Sequence, residues 1–331
     1  MHMKTGNLFL LSVAVLSGAA APADGPDATL VALAAVDGQL AAIGHRLVTA
    51  NRPLCDGLAP APGWVLHTAD QYDPALRPAA IRRYRFDAPV GVETVVSGSP
   101  AAVAGVQAGD SLHAINGQRI PAEPATAAAA NVRSRDAALD LVERQPADRP
   151  LMLDMVRSGR ARTVTLPATP GCRAAFEIVL GDGMTASSDG RVVQIGVRFL
   201  ARYSDDEVAA VVAHELAHVV FRHRARLEAA GVSSGLLAEL GRSGRLHRRA
   251  EDEADRLSVA LLYNAGYDPR VAVRFWREHG GDVDGGLFRS RTHPSSRARA
   301  AAIESEVAAI PAGTARPYRP GLLSTRDQPF D

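Results

Sequence analysis

The sequence predicts an α+β protein in two folded parts: a small strand-rich β-barrel module and a mainly helical unit with a small sheet. At 331 residues the chain exceeds the usual size of one domain. Residues 86–168 alternate β-branched runs with turn dipeptides, whereas residues 172–310 carry long stretches of helical apolar spacing. Hydrophobic content of 47% with 22% charged residues suits packed cores, and 5% aromatics makes those cores aliphatic.

Residues 1–23 read as an export signal. Lys4 precedes an apolar run from Leu8 to Leu16 and a small-residue stretch from Ser17 to Ala23. The run is about half of the ~20 residues that a spanning helix needs, so cleavage and a periplasmic or secreted location are expected. Charged residues or Gly interrupt every later apolar run, so no stable membrane insertion is expected after cleavage. Lys and Arg number 37 against 36 Asp and Glu, a net charge of +1, which gives no field for nucleic acid or an anionic membrane. In an oxidising setting the two cysteines, Cys55 and Cys172, predict one disulfide, with two buried thiols as the alternative.

Residues 24–85 divide into a helix and a connection. Leu30, Leu33, Val36, Leu40, Ile43 and Leu47 make an apolar stripe at three- and four-residue spacing, which predicts a helix over 28–48. Pro and Gly make Asn51 to Arg85 an irregular connection with room for one strand. In the module, strands are expected at Val90–Val96, Ser111–Ile115, Leu151–Val156 and Ala161–Leu166, with turns at Asn116-Gly117 and Ser158-Gly159. Ala101 to Gly105 suits one helical turn, and Ser134 is a candidate cap for a helix running to about Glu143. The tail, 311–331, is expected to be irregular.

The chemistry concentrates at His214-Glu215-Leu216-Ala217-His218. Ser204 and Glu207 form a capping-box pattern ahead of it, and Val208, Val211, Val212, Leu216 and Val219 supply an apolar face, so the motif lies on a helix. Four-residue spacing stacks the two imidazoles about 5–6 Å apart on one face, within reach of one Zn2+ at about 2.0–2.1 Å. Glu215 points elsewhere but can reach a metal-held water, which suits a general base. A catalytic zinc wants a third protein ligand. Glu251 and Asp255 fall one turn apart on a second helix ending near Gly266; Glu251 can ligate while Asp255 orients a ligand histidine. On spacing alone a solvated acidic face explains Glu251-Asp252-Glu253 equally well. His247, one turn earlier, competes as ligand only if the helix starts early and otherwise reads as a surface residue. His223 falls about 140° around from His218 on a continuous helix, which suits packing or hydrogen bonding rather than ligation.

Two resemblances sharpen this reading. Pro89-Val90-Gly91-Val92, Gly98-Ser99-Pro100-Ala101, Ala104-Gly105-Val106, Ala108-Gly109-Asp110 and Ile115-Asn116-Gly117 resemble a bacterial-type PDZ domain. That resemblance implies an exposed strand edge that captures an extended peptide, with the backbone of Val90, Gly91 and Val92 meeting a terminal carboxylate; a structural spacer is the alternative. His214-Glu215-x-x-His218, Glu251-x-x-Ala254-Asp255, Ala265-Gly266-Tyr267-Asp268-Pro269 and Thr292-His293-Pro294 with Arg299 resemble the HtpX-like and CAAX-prenyl-endopeptidase-like zinc metallopeptidases, in their soluble periplasmic branch. This second resemblance, over residues 175–305, implies a gluzincin: His214, His218 and Glu251 as ligands of one Zn2+, Glu215 as base and Asp255 behind a ligand. It further implies His293 as an oxyanion contact, and Arg191 to Val197 as an edge strand that pairs with substrate. Arg299 is expected to brace a neighbouring helix. The expectation is a zinc metalloendopeptidase acting on exported or misfolded proteins, its partners being protein or peptide substrates. The rival is a periplasmic peptide-binding or chaperone-like factor with a latent or structural zinc, distinguished by whether the fourth coordination position is open.

Overall fold

The computed structural model describes residues 25–122, 130–232, 241–283 and 295–330; the expected export signal and His293 lie outside them. The apolar stripe of the first segment forms helix α1 (Gly25–Ala50), longer than its periodicity indicated. By length and composition α1 could cross a membrane, which the segmentwise reading of apolar runs overlooked. Here it serves as a core helix. Leu40, Ile43, Leu47 and Val48 sink into the largest core, and Arg46 hydrogen-bonds the Ala265 carbonyl. The connection holds more structure than its composition suggested: β1 (Leu58–Pro60), β2 (Trp64–His67) and α2 (Arg77–Tyr84).

The module comprises β3 (Val90–Val95), α3 (Pro100–Val103), β4 (Ser111–Ile115), β5 (Gln118–Arg119), α4 (Arg133–Glu143), β6 (Leu151–Arg157) and β7 (Arg160–Leu166). Its turns follow the dipeptides: Asn116 and Gly117 adopt φ of 46° and 75°, Ser158 and Gly159 of 51° and 74°. α4 does not begin on a Ser134 cap. Its N-cap is Val132, and Ser134 is buried inside the first turn.

The six-stranded sheet runs β2-β3-β4-β6-β7, with β5 beside β4. The expected peptide-binding stretch therefore needs correction. β3 is interior: Gly91 and Val92 pair with His67 and Leu66 of β2, while Val90 and Gly91 face Leu112 and Ser111 of β4. The Val92 N–H already donates to Asp110 at 2.7 Å. Val90, Gly91 and Val92 thus have no free edge to offer a peptide, because a strand from the preceding connection covers them. The terminal strand on that side is β2.

The second part contains β8 (Pro170–Cys172), β9 (Ala175–Val179), β10 (Ala186–Ser188), β11 (Val192–Gly196), α5 (Val197–Arg202), α6 (Asp205–Val220), α7 (His223–Ala229), α8 (Gly241–Asn264), α9 (Arg270–Glu278), α10 (Gly280–Val283) and α11 (Ser296–Ala309). β8 pairs with β1, and the small sheet has the order β10-β11-β9. The expected edge strand, Arg191 to Val197, is thereby corrected: β11 lies between an antiparallel β10 and a parallel β9. The edges are β9 and β10, the latter too short and too poor in β-branched residues to be read as a strand. One core runs through α1, β11, α6, α8, α9 and α11, and it is less purely aliphatic than the composition indicated, since Phe199, Phe221, Phe275 and Trp276 are buried within it. Gly44 lets α1 approach β9, since a Cβ there would lie 2.5 Å from the Phe176 ring. The tail is less irregular than expected: residues 321–325 form a 3-10 turn, and Phe330 is buried against Leu246 and Ala250 of α8.

Several links join the two parts. Cys55 and Cys172 form the expected disulfide, enclosing a separation of 117 residues that contains the whole module. Arg135 of α4 pairs with Glu177 of β9 at 2.8 Å, and Arg191 bonds Asp140 and Glu143 of α4. Under the α1 contact lies a buried polar cluster in which His67 Nδ1–H donates to the Tyr72 oxygen and the Tyr72 hydroxyl donates to Glu93. Burial, together with the neighbouring Asp37 carboxylate, pushes the Glu93 carboxyl up to about 8; burial likewise lifts Asp37 to about 6.

Replacing both cysteines with serine is expected to cost about 2–4 kcal/mol, through the entropy of the freed unfolded chain, as read by the urea midpoint under non-reducing conditions. An unchanged midpoint would remove the disulfide from the account. A second expectation concerns pH. The unfolded chain releases the Glu93 proton in the ordinary carboxylate range, whereas the folded chain keeps it to about 8, so stability falls as pH rises across that interval. Melting curves between about pH 5 and about pH 9 should show the fall, and Glu93→Gln should flatten it.

Candidate metal centre

Helix α6 is built to stay whole while buried. Ser204 accepts from the Glu207 N–H and the Glu207 carboxylate bonds back to Ser204, a reciprocal cap of about 1 kcal/mol. Asp205, Asp206 and Glu207 in the first turn complement the helix dipole. Every residue from Val208 to Ala217 is buried, which places His214 in the interior, while His218 one turn later is half-buried. α8 crosses against them, starting ten residues before Glu251, and brings Glu251, one turn from Asp255, onto the imidazoles.

Three donor atoms converge there. His218 Nε2 lies 3.2 Å from His214 Nε2; Glu251 Oε2 lies 3.3 Å from His214 Nε2, and Oε1 lies 3.5 Å from His218 Nε2. Two ligands bound tetrahedrally at about 2.0–2.1 Å stand roughly 3.3 Å apart, so each of these separations, the last two made by different oxygens of the same carboxylate, suits donors gathered around one ion. Among the described residues this is the group of His and carboxylate side chains arranged to hold a metal. The acidic-face alternative for Glu251 does not describe what is seen: its side chain is only 12% exposed and turned inward.

Around this triangle the charges are arranged in order. Asp255 lies 2.9 Å from His214 Nδ1 and also receives two hydrogen bonds from Arg299, at 2.7 and 2.6 Å. The His214 N–H directed at Asp255 fixes the ring so that Nε2, once its proton is displaced by a cation, turns a lone pair toward the cluster. Burial and Arg299 oppose charge on His214, but hydrogen bonds to Asp255 and Glu251 outweigh them and lift its pKa to about 9. These carboxylates therefore create a field that favours a cation. Burial holds His218 well below its ordinary pKa, which keeps it a neutral donor. Burial also raises Glu215 to about 7, with Glu251 adding to the rise and His214 opposing it. A carboxylate poised near neutrality beside the ligands can both take and return a proton.

Three residues sit differently from their expected places. Arg299 does more than brace a helix: it is 4% exposed, its guanidinium lies 3.5 Å above the Trp276 ring, and it reaches to within 4.0 Å of Glu251. His247 is half-buried rather than on the surface, with its Nε2 shielded from solvent. His223 approaches His218 at 2.9 Å between the two Nδ1 atoms, because α6 stops and Arg222 adopts a left-handed φ of 53°. The continuous-helix geometry does not apply across that break. Arg226 and Trp276 drew no attention in the sequence, and Glu253 entered only as part of the acidic run Glu251-Asp252-Glu253, although it is buried.

Residues 183–307 match peptidase family M48, and residues 91–157 match the PDZ domain family. The chain carries a peptidase family M48 domain. Part of the chain is similar to the mitochondrial metalloendopeptidase OMA1 of Schizosaccharomyces pombe, 32% identical across 30% of this chain and 36% of the relative. The corresponding protein of Arabidopsis thaliana is 34% identical across 29% of this chain and 23% of its own length. The beta-barrel assembly-enhancing protease of Escherichia coli K12 is 28% identical across 46% of this chain and 38% of its own. The chain thus aligns with less than two fifths of each of these relatives. Both the M48 domain and the module before it are ones that the motifs announced.

Asp255→Ala should leave the Arg299 guanidinium buried without its carboxylate. A loss of about 3–5 kcal/mol in the unfolding free energy of the metal-free protein is expected, measured by urea titration. A loss below about 1 kcal/mol would mean that water reaches Arg299.

Proposed function

We propose that this chain is an exported zinc-dependent metalloendopeptidase that hydrolyses peptide bonds of unfolded or misfolded proteins. The observation that carries the proposal is the convergence of His214, His218 and Glu251: the two Nε2 atoms lie 3.2 Å apart, and each lies 3.3 or 3.5 Å from one of the two Glu251 oxygens, separations that suit donors around one ion, with Glu215 beside them at a pKa of about 7. Two nitrogens and one carboxylate oxygen are a borderline donor set that suits zinc better than calcium or magnesium. A bound zinc would supply Lewis acidity toward the scissile carbonyl and acidify the water at its remaining position. Glu215 takes the proton of the attacking water and delivers it to the departing amine nitrogen. Asp255 and Arg299 hold His214 in the tautomer that ligation needs. His293 is retained as the group that hydrogen-bonds the oxyanion. An extended substrate adds to the edge of β10, which packs beside α6 and replaces β11 in that role.

Capture of peptide by the PDZ module belongs to the outer edge of β2 in this proposal, since β3 is paired on both sides. Export rests on the signal-like residues 1–23 and on the Cys55–Cys172 disulfide, which an oxidising compartment sustains.

Glu215→Gln should keep full zinc content while cleavage of a casein-type substrate falls by at least about 10²–10⁴-fold. Cleavage at the wild-type rate would exclude Glu215 as the base. Chelation should abolish cleavage and zinc should restore it. A chain that holds zinc in a closed shell of four protein ligands and cleaves no unfolded protein would instead fit a peptide-binding factor.

A further inference from the structure

Behind His218, on the side away from the donor triangle, lies a buried row of polar groups that the mechanism does not use. His223 Nδ1 stands 2.9 Å from His218 Nδ1, and His223 Nε2 stands 3.1 Å from Glu253 Oε2. The same Glu253 oxygen accepts from Arg226 at 2.7 Å, and its other oxygen accepts from Arg249 at 3.2 Å. His223, Glu253 and Arg226 are 2%, 4% and 8% exposed. The row ends on the C-terminal tail. Phe330 lies under the Arg226 guanidinium at 3.9 Å and is itself buried, while Arg226 also reaches the Thr325 carbonyl at 3.3 Å.

Hydrogen counting gives this row a direction. Two facing Nδ1 atoms share one hydrogen. If His218 is to present the lone pair of Nε2 to a metal, its own hydrogen must sit on Nδ1 and point at His223. His223 then accepts at Nδ1, carries its hydrogen on Nε2 and donates it to Glu253, a carboxylate fixed by two arginines. Each donor meets an acceptor and none is duplicated. The opposite direction would place the His218 hydrogen on Nε2, in the middle of the donor triangle, and would turn the His223 Nε2 lone pair against a carboxylate oxygen. His214 gets its tautomer from one contact with Asp255; His218 gets the same result through an intermediate imidazole.

The local backbone is spent on this arrangement. On an unbroken helix His223 would face away from His218. A left-handed Arg222, uncommon for a residue with a Cβ and costing about 1–2 kcal/mol, ends α6 and restarts the chain as α7 with His223 turned back. Phe221 stacks on the His223 ring at an interplanar angle of 9°, and Phe330 closes the other side with a centroid separation of 5.8 Å.

We propose that His223 is a positioning residue for the metal ligand His218, held by Glu253 and Arg226 and backed by Phe330 of the tail, so that the C-terminus contributes to metal affinity. This rests on the zinc reading above, and its test does not depend on cleavage. Zinc affinity is measured by competition with a chromogenic chelator, and ligand geometry is followed by the visible spectrum of the cobalt-substituted protein. His223→Phe keeps the ring packing and removes both hydrogen bonds. It should weaken zinc about 10–100-fold and change the cobalt bands, with apoprotein melting recorded in parallel. His223→Gln, whose amide oxygen can accept from His218, should recover part of the affinity. Phe330→Ala, which touches no ligand, should shift affinity in the same direction by a smaller factor. If His223→Phe does not fold, Glu253→Gln carries the test with the same expected sign. Wild-type affinity and an unchanged cobalt spectrum in a folded His223→Phe or Glu253→Gln overturn the inference while leaving the zinc site standing. Failure of the wild-type chain to bind zinc overturns both.

Discussion

Two imidazoles and a carboxylate meet inside an otherwise apolar contact between α6 and α8, and that meeting is the constraint which the rest of the molecule accommodates. Polar groups at such depth are costly unless each finds a partner. The site meets the condition with opposed charges placed in sequence: Arg299 against Asp255, Asp255 against His214, and on the other flank Arg226 and Arg249 against Glu253, with Glu253 against His223. None of these carboxylates lacks a cation or a ring N–H. The donor triangle lies between the two rows, so charge compensation and ligand orientation come from the same hydrogen bonds.

The surrounding helices follow from that need. α6 is capped at its start and buried on nearly every face, which fixes the one-turn separation of His214 and His218. α9 supplies Trp276 as a flat surface for Arg299, and α11 carries Arg299 itself into the interior. A guanidinium spreads its charge over a plane and is weakly hydrated, so it suits this sandwiched position better than an ammonium would. The tail does a similar service at the far side through Phe330. Residues distant in sequence thereby share one buried network.

Between the two parts the joint is extensive. The PDZ sheet is completed by β2 from the segment before it, α1 packs on both β2 and β9, and the disulfide closes the loop from which the module is built. Ion pairs from α4 to Glu177 and Arg191 add orientation more than stability, because most are partly exposed. A peptide held at the outer β2 edge would lie close to α1 and so to the peptidase core.

Much of this was legible from residues alone. Period and cap at Ser204, the His214 and His218 spacing, the Asn116-Gly117 turn and the pairing of Cys55 with Cys172 are local or compositional signals, and local signals survive folding. The module's existence was equally plain, but its outermost strand was not, since Trp64 to His67 becomes a strand only by adding to β3. The reversal of β10 and β11, the course of His223 and the inward path of Arg299 share that cause. Sequence by itself determined which side chains can bind a metal and which helical face presents two of them, because a helix places residues four apart on one side whatever surrounds it. Tertiary structure decided which carboxylate meets the two imidazoles, which groups surround it and which strand is left at the edge. Those choices depend on crossing helices, a left-handed residue at 222 and strand order, none of which has a period that a sequence can display.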